Sequence, residues 1–134
     1  MTLLLDSTAL VALHIDCAQR GVVIDAMETD RHWAASAIAL TEATAAVHRI
    51  TDDTTIRNAL EDEIRRTWDY LYVVPIDQRI LDEANIFTAQ QPVGVSIAIH
   101  LATAQRFGNP LSFVTFDARQ IPVALSLGID VLSG

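Results

Sequence analysis

Short apolar runs alternate with longer amphipathic stretches along the whole chain. Leu3-Leu4-Leu5 is an apolar run that stops at Asp6, the pattern of a buried strand. Residues 7–15 carry helical spacing, with Ala9, Leu10 and Leu13 on one face, and 21–28 reads as a second short helix. A second strand is expected over 33–37, weakened by its alanines. Helices follow over 41–50 and 55–70. The longer one places Ile56, Leu60, Ile64 and Trp68 on one side, with Asp52 or Asp53 as its N-cap. A third strand covers 71–74 and is closed by Pro75. Asp77 caps a helix reaching about residue 88, and 90–94 is a loop. An apolar helix over 95–107 meets Gly108-Asn109-Pro110, a strong stop. Strand four spans 112–116 and runs into Asp117. A helix over 118–127 is stopped by Gly128, and 129–132 is the last strand.

Strands alternating with helices imply an α/β fold: a central parallel sheet of about five strands, flanked by helices on both faces in three layers. Right-handed crossovers align the strand C-termini along one edge. Ligands of such sheets bind at that edge, where strand order reverses. The 134 residues suit one domain, 1–134, and 51% hydrophobic residues supply its core. No apolar run approaches the roughly 18 residues of a membrane span. The opening Met1-Thr2-Leu3-Leu4-Leu5-Asp6 has no basic stretch and meets an acid at once, so a cytoplasmic location is expected.

Candidate chemistry gathers at the strand ends. Asp6 and Asp117 each end an apolar strand, and Glu42 lies in the first turn of the helix after strand two. Three carboxylates at one edge repel one another unless a cation neutralises them. Hard oxygen donors of this kind suit Mg²⁺ or Mn²⁺. The alternative is that Asp6 and Asp117 are plain N-caps and Glu42 complements a helix dipole. The single cysteine, Cys17, excludes an internal disulfide and has no activating base beside it. A net charge of −8 argues against electrostatic coating of a duplex, and suits a basic protein partner. It leaves room for a local arginine cluster on phosphate; all nine positive residues are arginine. The absence of lysine removes the phosphorelay receiver pattern, Asp6-Ser7-Thr8 lacks the second Asp of a haloacid-dehalogenase-type phosphatase, and neither a P-loop nor a Gly-rich dinucleotide fingerprint occurs.

Four segments in order resemble the PIN domain in its VapC toxin form. They are Leu4-Leu5-Asp6-Ser7-Thr8-Ala9-Leu10-Val11-Ala12-Leu13, Ala39-Leu40-Thr41-Glu42-Ala43, His100-Leu101-Ala102-Thr103-Ala104 and Phe113-Val114-Thr115-Phe116-Asp117-Ala118-Arg119. The resemblance covers essentially the whole chain. It implies a metal-dependent endoribonuclease, a homodimer, and inhibition by a co-encoded antitoxin. By position it makes Asp6 and Asp117 ligands of Mg²⁺ or Mn²⁺ and Glu42 a ligand of a second ion or an orienter of water. Ser7 and Thr115 would support these ligands by hydrogen bonds, and Arg119 would meet phosphate.

One position departs from that pattern. The family carries an Asp three residues before the His of His-Leu-Ala-Thr-Ala; this chain has Ile97, and no acid occurs from Asn85 through Val114. Two readings stay open. One is a ribonuclease whose metal site is reduced to Asp6 and Asp117. The other is a catalytically silent fold that binds an antitoxin or RNA without cutting. His100 is expected as a hydrogen-bonded core histidine, and Trp33 and Trp68 as core or interface anchors. Arg49, Arg57, Arg65 and Arg66 are expected on a solvated face or paired with neighbouring acids, rather than on RNA phosphates.

Overall fold

Strand β1 (Thr2–Leu5) lies at the centre of a five-stranded, all-parallel sheet of order β3-β2-β1-β4-β5. The other strands are β2 (His32–Ser36), β3 (Tyr72–Val74), β4 (Leu111–Val114) and β5 (Asp130–Leu132). The computed structural model describes residues 2–108 and 110–134. Leu4 pairs with Ala34 on one side and Phe113 on the other. The apolar run is buried from both faces because successive side chains alternate. Leu4, Ala34 and Phe113 pack into a cluster under α5 (Gln78–Gln90), α6 (Val95–Phe107) and α7 (Ile121–Ser126). Leu3, Leu5, Ala35 and Val114 enter a second cluster under α1 (Ser7–Ala12), α2 (Arg20–Thr29), α3 (Ala39–Ile50) and α4 (Thr54–Trp68). The three-layer arrangement expected from the sequence is the one observed.

The chain runs outward from β1 through β2 to β3, then crosses back to add β4 and β5 on the other side of β1. Strand order therefore reverses between β1 and β4. The C-terminal ends of these two strands form the crevice in which α/β sheets bind ligands. Asp6 follows β1 directly, and its N–H donates to Val114 O at 3.2 Å.

Several boundaries differ from the sequence expectation. Helix α1 ends at Ala12 rather than at 15, where the His14 N–H closes onto Val11 O in a tighter turn. Strand β4 ends at Val114, so Asp117 does not end it directly. The Phe116 N–H donates to Thr8 Oγ1 at 2.9 Å and the Asp117 N–H to Thr115 Oγ1 at 3.2 Å, so side chains take donors that a ladder would use. Helix α7 starts at Ile121 rather than at 118, with Pro122 in its first turn, where a missing N–H costs nothing. Asp53, not Asp52, caps α4, and Asp77 caps α5. Gly108 ends α6 with φ 66° and Gly128 follows α7 with φ 77°, left-handed conformations that favour glycine. Asn109 of the expected stop lies outside the described residues.

Candidate active site

A cleft of about 590 Å³ opens at the reversal point, and Asp6, Glu42 and Asp117 all line it. The three acids expected to share an edge do so. Each is held by groups of the chain itself.

Asp6 is the most enclosed, 2% exposed. Its Oδ1 accepts from Thr8 Oγ1 at 2.6 Å and from the Ala9 N–H at 3.0 Å. Its Oδ2 accepts from Thr115 Oγ1 at 2.5 Å and from Gln120 Nε2 at 2.9 Å. A carboxylate offers about four lone-pair sites, and these four donors occupy them. Burial pushes the Asp6 carboxyl above its ordinary range, against the opposing pull of His100 and of the hydrogen bonds. The bond from the Ala9 N–H also makes Asp6 the N-cap of α1, so the cap reading is correct for this residue.

Glu42, in the first turn of α3, is bonded through Oε1 to His100 Nε2 at 2.5 Å. His100 is a buried histidine of α6, as expected, and ties that helix to α3. Its Nδ1 is buried without a hydrogen-bond partner among the described residues, as is Gln120 Oε1. Asp117 is not a helix cap. Its Oδ1 accepts from the backbone N–H and the Nε of Arg119, at 2.9 and 3.1 Å, and its Oδ2 accepts from Arg119 Nη2 at 2.9 Å. Arg119 chiefly holds the Asp117 carboxyl below its ordinary range. The Arg119 side chain is 78% exposed, so this pair is a surface contact of small net worth.

The remaining sequence candidates divide. Thr115 supports Asp6 as expected, and Ser7 lines the cleft. The hydroxyl at the start of α1 that reaches Asp6 belongs to Thr8. Gln120 and Thr8 were not anticipated, although Thr8 stands beside Ser7 in the first motif. Arg49 also lines the cleft, whereas Arg57 pairs with Asp52 at 3.9 Å. Cys17 is half-buried at the cleft's edge and donates to Ala12 O at 3.6 Å.

These residues do not fit a divalent ion. Mg²⁺ and Mn²⁺ take several oxygen ligands in near-octahedral array. Of the carboxylate oxygens of Asp6, Glu42 and Asp117, only Glu42 Oε2 has no hydrogen-bond partner among the described residues. Among the described residues no three His, Cys, Asp or Glu side chains are placed to share a metal. Ile97, 5% exposed, puts an apolar side chain on the cleft wall at the position of the missing acid. Among the described residues no helix is long and apolar enough to cross a membrane.

No protein-family model matches the sequence, and no curated protein matches it. Solved structures do. A toxin–antitoxin complex from Klebsiella pneumoniae aligns at 21% identity over 88% of each chain, with a TM-score of 0.67. FitAcB from Neisseria gonorrhoeae aligns at 15% identity over 98% of this chain and 96% of the other, with a TM-score of 0.75. VapC20 of Mycobacterium tuberculosis, described as a sarcin-ricin loop cleaving toxin, aligns at 14% identity over 90% and 94%, with a TM-score of 0.71. The chain has the PIN fold of the VapC-type toxins.

Proposed function

We propose that this chain is the VapC-like component of a type II toxin–antitoxin pair, and that its cleft binds RNA without cutting it through a bound metal. Support for the first half comes from the shared fold with toxin–antitoxin structures. The observation that carries the second half is how far the chain's own donors occupy the acids: Asp6 by four donors, Asp117 by Arg119 on both oxygens, and one oxygen of Glu42 by His100. A carboxylate whose lone pairs are filled has little left to offer an ion. The partners in this reading are single-stranded RNA, a co-encoded antitoxin and a second copy of the chain. A short gene for a basic-tailed protein immediately upstream would support the antitoxin.

The test is incubation of the purified chain with labelled RNA, in Mn²⁺ or Mg²⁺ and in EDTA, beside Asp6→Asn. Intact RNA under every condition is expected. Metal-dependent cleavage that Asp6→Asn abolishes would refute the reading.

That second outcome belongs to the other reading, a metal-dependent endoribonuclease with a weakened site. One observation favours it: the Arg119 side chain is 78% exposed. So exposed a surface pair does not withhold Asp117 from a strongly bound competitor. The buried, four-bonded Asp6 and the apolar Ile97 weigh against it.

A further inference from the structure

We propose that Arg49 anchors a phosphate of a single RNA strand laid along the groove between α1 and α3. This inference rests on the RNA-binding reading above and names the residue that would hold the strand. The cleft extends well past the three acids. Glu42, Ala45, Ala46 and Arg49 all line it, a spacing of three, four and seven residues that places them on one face of α3. The facing wall is Val11 and Ile15, from α1 and the turn after it. The two alanines keep the α3 wall low, so the groove is open and apolar between its ends. Arg49 stands about 10 Å along the helix axis from Glu42. A ligand reaching both ends is therefore longer than one phosphate group.

The charge balance singles out Arg49. At the acid end, the charge of Arg119 is matched by Asp117 and that end also carries Glu42 beside His100, so it offers no surplus positive charge. Of the acids nearest in sequence to Arg49, Asp52 is fully exposed and lies 3.9 Å from Arg57, and Asp53 caps α4. On the next α3 position, His48 takes Glu61 at 2.8 Å. Arg49 is left as a cleft-lining cation with no ion pair among the described residues. An exposed guanidinium beside an apolar channel suits a phosphodiester strand: the guanidinium meets phosphate oxygens in a bidentate fork, and the channel accommodates less polar sugar and base surfaces. A phosphate contact of this kind places the strand without reading its sequence. The sequence reading set Arg49 on a solvated face or paired with acids; it is exposed, and that exposed face borders the cleft.

The test is fluorescence anisotropy of a labelled, unstructured oligoribonucleotide, measured in EDTA over a salt series. The parent should bind, with log K falling linearly in log salt. Arg49→Gln should weaken binding of all sequences alike and lower the salt slope by about 0.7, the loss of one single-strand phosphate contact. Arg49→Lys should keep most of the slope. Arg79→Gln removes the same charge from a separate hollow formed with Glu83 and Arg106, and should leave the slope unchanged. Arg49→Gln binding with the parent's slope, while the parent binds RNA, overturns the anchor alone. Equal losses in Arg49→Gln and Arg79→Gln overturn it as well, because overall charge then explains both. A parent that fails to bind RNA overturns both the anchor and the reading beneath it, as does Arg49-dependent capture of an acidic peptide in its place.

Discussion

Ile97→Asp restores the one carboxylate whose position the apolar side chain occupies, and its consequences can be sized from the structure. Ile97 is 5% exposed and packs in the cluster beneath α5, α6 and α7. Removing a buried aliphatic side chain of that size costs about 2–5 kcal/mol, and enclosing an unpaired carboxylate adds to the loss. The metal-free variant should therefore unfold at clearly lower temperature than the parent. A divalent ion reverses part of this loss. Saturation at about one hundred times Kd returns about 2.7 kcal/mol, and the competing Arg119–Asp117 contact, exposed as it is, opposes only weakly. The assay is thermal unfolding of both proteins with and without Mn²⁺. The variant should gain several degrees on adding Mn²⁺ while the parent stays put. Equal stabilisation of the two would refute the reasoning, since the parent site would then already hold an ion. A folded variant with no response would refute it too, because the missing carboxylate would not be what keeps metal out.

Two further outcomes follow from the same geometry. Thr115→Val keeps the shape of a fully buried side chain but removes a donor to Asp6 Oδ2 and the acceptor of Gln120 Nε2 at 3.0 Å. A hydrogen bond to a carboxylate is worth about 1.5–3 kcal/mol, so urea unfolding should show a loss of about 2 kcal/mol, and a change within error would mean that Thr115 does not hold Asp6. His14, whose Nε2 lies 2.8 Å from Thr67 Oγ1, is pushed below its ordinary 6.5 chiefly by burial. The unfolded chain then binds more protons just below pH 6.5, so stability should fall as pH drops through that region. His14→Gln should flatten this part of the profile, and an unchanged slope would contradict it.

The periodicity of the sequence was enough for the layers, because Leu3, Leu4 and Leu5 can be buried on alternating faces only with helices on both sides. It was enough to bring the three acids to one edge, since parallel strands share their C-terminal end. It missed where β4 stops. Thr8 and Thr115 hydroxyls take the N–H groups of Phe116 and Asp117, and a contact across 108 residues leaves no local pattern. It likewise missed His100 against Glu42, 58 residues apart, and therefore how the acids are neutralised. Gln120 reads as an ordinary polar residue within the expected helix; its partner is Asp6, 114 residues away. Asp117 and Arg119 are two residues apart, so their pairing was within reach of the sequence, which instead assigned Arg119 to phosphate.

Calorimetric titration of Mn²⁺ into the unmodified chain tests the central claim most directly. If Asp6, Glu42 and Asp117 are satisfied by the chain's own donors, the titration should give only heats of dilution. Saturable binding near one ion per chain, lost in Asp6→Asn, would contradict the account.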